Sequence, residues 1–151
     1  MRGNVAYLDS SAIAKRYVKE KGSEHVRQLY LAAYAGEIKL SFNIWNVGEV
    51  LGVLNKARRR GLLSEDNYST VKRRFLMETR RMANLGILLI VPLNKRVIAE
   101  SWKLIEKHHI YQADAIQVVS AKQVGCRDFV TADEGLHRVA LTEGLKCTYL
   151  G

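Results

Sequence analysis

Short apolar runs alternate with longer amphipathic segments along the chain, and this alternation predicts an α/β protein. The order of elements is β-α-α-β-α-α-β-α-α-β-α-β. The predicted strands are 5–8, 38–41, 87–91, 129–131 and 146–149, and the predicted helices are 12–18, 24–35, 44–60, 64–84, 96–107, 111–125 and 134–142. Strands that alternate with helices imply a mostly parallel sheet covered on both faces. The sequence contains no internal repeat or linker, so residues 1–151 are expected to form a single domain.

The segment from Tyr111 to Asp133 is the most informative stretch of the chain. Its middle is apolar at almost every helical angle, which predicts a buried helix ended by Gly125. Asp114 lies in the first turn of that helix, and Asp133 follows the next short strand. Carboxylates are seldom buried unless they are paired or bound to a metal. Two of them at the ends of buried elements therefore suggest a functional site.

A third aspartate, Asp9, directly follows the first apolar run. Ligands of open α/β sheets bind at the carboxyl ends of the strands, which makes Asp9 a candidate site residue. The alternative is a capping role at the start of a helix, a role that Ser10 and Ser11 can also fill.

The long helix at 44–60 contributes a fourth carboxylate, Glu49. Glu49 lies beside the core face, which is predicted to consist of Ile44, Val47, Leu51 and Leu54, and it has no basic residue three or four positions away. The alternative is an ordinary solvated glutamate.

These four acids come from four separate elements and can converge on one edge of the sheet. The other two of the five aspartates, Asp66 and Asp128, are predicted to be a helix N-terminal residue and a turn residue. Four bare carboxylates would repel one another, and a hard divalent cation such as Mg²⁺ or Mn²⁺ relieves that repulsion. In a protein with a net charge of +9 and a pI near 9.7, such a site points to phosphodiester hydrolysis.

Four motifs, taken in order, resemble the PIN-domain ribonucleases, most closely the VapC toxins of toxin–antitoxin pairs. The motifs are LDSSA at 8–12, WNVGEVLGVL at 45–54, ADAIQVVSA at 113–121 and FVTAD at 129–133. The resemblance implies an α/β/α sandwich with a five-stranded parallel sheet, an acidic Mg²⁺ or Mn²⁺ site and a homodimer. It also implies an endoribonuclease that hydrolyses RNA with a metal-activated water and leaves 5′-phosphate and 3′-hydroxyl ends.

The resemblance also assigns roles to individual residues. Asp9 and Asp114 are expected to be direct metal ligands, Glu49 to act directly or through water, and Asp133 to lie in the outer shell or bind a second ion. The hydroxyls of Ser10 and Thr131 are expected to orient a carboxylate or a metal-bound water.

One position departs from the family pattern. Many relatives carry another aspartate two residues after the last motif acid, where this chain has Gly135. The adjacent Glu134 either supplies the missing charge or favours the start of a helix.

Basic residues are concentrated in residues 56–81, which contain nine Lys and Arg but only three Asp and Glu. This region is predicted to contact RNA phosphates; the alternative is the solvated face of two surface helices. Tyr68 and Phe75 within it either stack on bases or pack against the core. The predicted RNA-binding residues are Arg58, Arg59, Arg60, Lys72, Arg73 and Arg74.

The sequence leaves several alternatives open. The chain is expected to be cytoplasmic, without a membrane span, and to pair with a VapB-like antitoxin or to act in RNA processing without one. A non-catalytic nucleic-acid-binding module is a second class, and a receiver-like signalling domain is a third. Cys126 and Cys147 are expected to be reduced thiols or, in a hyperthermophile, a bridge. The loop pair His108 and His109 is interpreted as structural.

Overall fold

The computed structural model describes residues 4–151 and contains the predicted elements in the predicted order. Most boundaries agree to within one or two residues. The strands are β1 (Val5–Leu8), β2 (Lys39–Asn43), β3 (Leu88–Val91), β4 (Asp128–Thr131) and β5 (Cys147–Tyr149). The helices are α1 (Ser10–Tyr17), α2 (Ser23–Tyr34), α3 (Trp45–Arg59), α4 (Glu65–Asn84), α5 (Lys95–His108), α6 (Gln112–Val124) and α7 (Glu134–Thr142).

All five strands are parallel, in the order β3-β2-β1-β4-β5. The chain moves from β1 outward to β3 and then returns to build β4 and β5 on the other side of β1. Because parallel crossovers are right-handed, this reversal places α1 to α4 on one face and α5 to α7 on the other. The predicted α/β/α sandwich is confirmed, and its topological switch point lies between β1 and β4.

The core forms where the central strands meet the middle of helix α6. Every residue from Ala115 to Ala121 is buried, as the apolar pattern predicts. On the neighbouring strands, the rings of Tyr7 and Phe129 stack with their centroids 5.5 Å apart. This stacking joins β1 and β4, which are paired at these two residues.

The predicted core face of α3 is wrong in part. The buried residues of α3 are Asn46, Val50 and Leu54, whereas Ile44 is 46% exposed. The helix is rotated so that a polar side chain, Asn46, faces inward, because that side chain has hydrogen-bond partners across the domain interior.

Two smaller predictions also need correction. Asp128 is not a turn residue: it begins β4, and its Oδ2 accepts a hydrogen bond from Thr148 at 2.8 Å. Strand β3, which the apolar run predicts to be covered on both faces, is an edge strand where Leu89 and Ile90 stay half-buried. Apolar runs do not distinguish an edge strand from a central one.

Three aromatic side chains on the helices differ in exposure: Tyr30 is part of the core, whereas Tyr34 and Trp102 are 37% and 57% exposed. Within residues 4–151, no helix combines the length and the apolar character needed to cross a membrane.

Glu143, which follows α7, joins three helices through its carboxylate. It accepts hydrogen bonds from Lys107 at 2.8 Å, Lys122 at 2.6 Å and His108 at 2.7 Å. The contact gives His108 a structural partner, and His109 ends α5 with a φ of 55°. Hydrogen bonds from Lys107 and Lys122 lower the pKa of Glu143 from 4.5 to about 2.

We therefore predict that Glu143→Gln lowers the free energy of unfolding by about 1.5 kcal/mol at pH 7, the value of a charge-assisted hydrogen bond. The lowered pKa means that this stabilisation is present above about pH 4.5 and is lost as the pH falls toward 2. Urea unfolding at pH 7 and pH 2.5 measures it, with Glu106→Gln on the exposed side of α5 as the control. An equal loss at both pH values would mean that the charge is not responsible.

Candidate functional site

The four predicted acids lie together at the carboxyl edge of the sheet, at the switch point between β1 and β4. Asp9 follows β1 and Asp133 follows β4, while Asp114 and Glu49 project from α6 and α3. Their proximity is visible in their electrostatics: besides burial, the charges of Asp133 and Glu49 raise the pKa of Asp114. Among the described residues, none of the four carboxylates forms a salt bridge.

Asp9 is the most buried of the four acids, with 5% exposure. It caps α1 by accepting from the Ala12 N–H at 3.0 Å, so neither Ser10 nor Ser11 is the capping residue. It is both a cap and a member of the acidic cluster, which unites the two alternatives for this residue. Burial, together with the charge of Asp133, raises the pKa of Asp9 to about 6, against the lowering effect of its hydrogen-bond donors.

Two hydroxyl groups hold the Asp9 carboxylate. Ser11 donates to Oδ1 at 2.6 Å, and Thr131 donates to Oδ2 at 2.5 Å. Both hydroxyl oxygens are themselves held by the loop after β4: Ala132 N–H donates to Ser11 at 2.9 Å, and Asp133 N–H donates to Thr131 at 3.0 Å. Three donors engage Asp9 in all, which leaves lone-pair capacity on the carboxylate for a further ligand.

Ser11 is a site residue that the sequence pattern does not reveal. In the sequence the Ser10-Ser11 pair is a source of caps, but in the fold the two side chains diverge toward different acids. Ser11 donates to Asp9 Oδ1, whereas Ser10 donates to Glu49 Oε1 at 2.6 Å. Successive residues of a helix are rotated by about 100° about its axis. This rotation could have predicted from the sequence that the side chains of Ser10 and Ser11 point in different directions.

Asp133 caps α7 by accepting from Leu136 N–H at 3.0 Å, and its side chain is exposed. The departing position Gly135 lies beside it, because a Cβ at that glycine would be 3.3 Å from Asp133 Oδ1. Glu134 is exposed at the first turn of α7, and its side chain makes no hydrogen bond or ion pair in the described part of the chain.

The donor set suits a hard cation, since every candidate ligand atom is a carboxylate or hydroxyl oxygen. Within residues 4–151, no three Asp, Glu, His or Cys side chains are close enough to form a complete metal cage. Mg²⁺ is usually held by one or two carboxylates together with water and substrate phosphates, and it does not need such a cage.

The basic residues extend away from the acids along α3 and α4. Ten residues separate Glu49 from Arg59 on α3, a distance of about 15 Å along the helix axis. Arg59, Arg60, Lys72, Arg73 and Arg74 are exposed.

Arg58 is partly engaged within the protein. It bonds to Asn55 and Glu65, and its guanidinium lies 4.2 Å from the ring centroid of Tyr68. Phe75 is fully buried. The structure thus favours packing roles for Tyr68 and Phe75 over base stacking.

Comparisons with known proteins bear on the family and the fold of this chain. The sequence profile of the PIN domain matches residues 6–141. No curated protein sequence matches the chain significantly.

Three solved structures share the fold. PAE2754 from Pyrobaculum aerophilum superposes with a TM-score of 0.67 at 16% identity, over 96% of this chain and 84% of that chain. VapBC2 from Rickettsia felis, bound to a DNA fragment from its promoter, gives 0.65 at 14% identity, over 97% and 99%. Mycobacterium tuberculosis VapC20, a sarcin-ricin loop cleaving toxin, gives 0.60 at 12% identity, over 87% and 92%.

Such low identities demonstrate a common fold and no more. The profile match, in contrast, covers most of the chain and includes all four acids. The chain belongs to the PIN-domain family.

Proposed function

We propose that this protein is a Mg²⁺- or Mn²⁺-dependent endoribonuclease that hydrolyses RNA phosphodiester bonds. The observation that carries the proposal is the convergence of four carboxylates, without a basic partner among the described residues, at the switch point of a parallel sheet. Ligands of open α/β sheets bind at such a point. Membership of the PIN-domain family, a family of nucleases, supports the same reaction class.

In this proposal Asp9 and Asp114 hold the cation directly, Glu49 directly or through water, and Asp133 from the outer shell. A bound divalent cation supplies charge neutralisation at the phosphate and lowers the pKa of a bound water. The chain's own residues fix the geometry. Ser11 and Thr131 hold the Asp9 carboxylate from both sides, and Ser10 holds Glu49. The repulsion among the acids is the feature that a cation would relieve.

We further propose that the protein is the toxin of a VapBC-type toxin–antitoxin pair and forms a homodimer. Two of the structures that share its fold are a VapBC complex and an RNA-cleaving VapC toxin. The exposed Trp102 on α5 provides apolar surface for a partner. The alternative within the same reaction class is a PIN nuclease of RNA processing or decay that has no antitoxin.

Incubation of the purified protein with a mixed pool of structured RNAs tests the proposal. Cleavage is expected with Mg²⁺ or Mn²⁺, and it should stop with EDTA and return when the metal is restored. Ligation-based mapping of the products should find 5′-phosphate ends. RNA binding without cleavage under any of these conditions would instead identify a non-catalytic module.

The basic residues provide a separate prediction about RNA affinity. Replacing Arg59 and Arg73 together by Gln should reduce the salt dependence of single-stranded RNA binding, with the slope of log K against log[salt] falling by about 1.4 for two lost phosphate contacts. The matched control is Arg96→Gln with Lys103→Gln, the same charge change on α5 at the opposite face of the sheet. Fluorescence anisotropy at several salt concentrations gives both slopes; equal slopes would refute the assigned RNA contacts.

A further inference from the structure

Behind the acids lies a buried group of polar side chains that the proposed chemistry does not use. Tyr7 and Asn46 are 0% exposed and Gln117 is 2% exposed. Tyr7 donates to Gln117 Oε1 at 2.8 Å, and Asn46 Nδ2 donates to the same oxygen at 2.8 Å. Asn46 Nδ2 also donates to Ser10 Oγ at 2.8 Å, and Ser10 is bonded to Glu49. A continuous path of hydrogen bonds therefore connects Gln117 to the acidic site.

The directions of these hydrogen bonds are fixed by one backbone group. The Asn43 N–H can only donate, and it donates to Asn46 Oδ1 at 2.8 Å. Asn46 must then present its Nδ2 to Gln117, so the nearer atom of the Gln117 amide must be its oxygen. The Tyr7 hydroxyl has one hydrogen, and it donates that hydrogen to the same oxygen.

The hydrogen of Ser10 is fixed in the same way. Ser10 Oγ accepts from Asn46, and its one hydrogen is donated to Glu49 Oε1 at 2.6 Å. The orientation of the Asn46 amide consequently decides which way the Ser10 hydroxyl points. Gln117 Oε1, by accepting from Asn46, holds that amide in place from the far side.

The two polar atoms of the Gln117 amide differ in their hydrogen bonding. Gln117 Nε2 is buried and has no hydrogen-bond partner in the described part of the chain. Its Oε1, in contrast, accepts from two buried donors, Tyr7 and Asn46, which an apolar side chain of similar size would leave unpaired. The oxygen is therefore the atom of Gln117 through which it joins the path to Glu49.

We propose that Gln117 is a positioning residue, which acts through Asn46 and Ser10 to hold the Glu49 carboxylate toward the candidate metal site. The inference rests on the proposed function because the metal site is part of that proposal; the path of hydrogen bonds does not depend on it. It differs from the proposed function because Gln117 touches neither the acids nor the proposed substrate. It joins α6 to α3 across 71 residues of sequence.

The test is a double-mutant cycle with Ser10→Ala and Gln117→Met, which replaces the amide by an apolar side chain of similar length. The readout is the Kd of Mn²⁺ in the absence of RNA, measured by calorimetry. We expect Ser10→Ala to weaken binding about tenfold and Gln117→Met about threefold, as outer partners of metal ligands do. The double variant should be no weaker than Ser10→Ala, because both changes break one path.

The control is Ser120→Ala, a hydroxyl loss in the same buried region. Ser120 accepts from Asn43 Nδ2 at 2.9 Å but is not on the path to Glu49. The Kd of Mn²⁺ for the Ser120→Ala variant should therefore stay within about twofold of the wild-type value. Thermal unfolding of each variant shows whether it is folded. If wild type binds no Mn²⁺ and cleaves no RNA, the proposed function fails. If wild type does both while Gln117→Met leaves the Kd unchanged, or adds to Ser10→Ala, the positioning role alone is refuted.

Discussion

Asp114→Asn is expected to reduce the rate of metal-dependent RNA cleavage by at least about 100-fold, because loss of an outer-shell partner alone typically costs about 10–100-fold. Asp114 lies half-buried in the first turn of α6, and burial, followed by the charges of Asp133 and Glu49, raises the pKa of its carboxyl. We propose it as a direct ligand, and an amide of the same shape removes the charge while keeping the volume. The measurement is the single-turnover cleavage rate of a labelled RNA at saturating Mg²⁺.

The matched control for this change is Asp66→Asn. Asp66 is an exposed aspartate in the first turn of another helix, α4, and it lies outside the acidic cluster. Its replacement should leave the cleavage rate within about twofold of wild type, as surface substitutions usually do. Equal activity of the Asp114→Asn variant and wild type would remove Asp114 from the site.

Asp9→Asn is expected to stabilise the metal-free protein while removing its activity. Burial and the charge of Asp133 raise the pKa of Asp9 from 3.8 to about 6. This rise means that the folded protein disfavours the ionised form of Asp9 by about 3 kcal/mol relative to the unfolded chain. Asparagine caps helices as well as aspartate does, so the cap of α1 should survive. Allowing for weaker hydrogen bonds, we expect a gain of about 2 kcal/mol at pH 8.

The pH dependence distinguishes this effect from simple repacking. Because the folded-state pKa is raised, the folded protein binds a proton more readily than the unfolded chain between about pH 4 and pH 6. The stability of wild type therefore falls as the pH rises through that range, and the difference between the two proteins should grow from small at pH 4 to full size above pH 6. Chemical unfolding in EDTA measures it. A difference that does not change with pH would contradict the electrostatic origin.

Much of the fold could be predicted from the sequence because its signals are local. The apolar run from Ala115 to Ala121 predicts that the middle of α6 is buried, and Gly125 predicts where the helix ends. The positions of Asp9 and Asp133 after strands are also local. Once the strands are parallel, their carboxyl ends must share an edge, so the convergence of the acids follows from topology.

The interior of the site could not be predicted, since its contacts join residues far apart in sequence. Tyr7 and Gln117 are separated by 110 positions, and each in isolation looks like an ordinary core or helix residue. The predicted face of α3 is wrong for the same reason: Asn46 is buried because distant partners satisfy its amide. Hydrophobic periodicity assigns polar residues to the surface, and it fails where they are paired inside.

The central claim is that the acids at this edge hold the divalent cation on which RNA cleavage depends. A calorimetric titration of Mn²⁺ into wild type and the Asp114→Asn variant tests it most directly. We predict saturable binding to wild type and, in the variant, binding at least about tenfold weaker. No binding to wild type, or equal binding to both proteins, would contradict the claim.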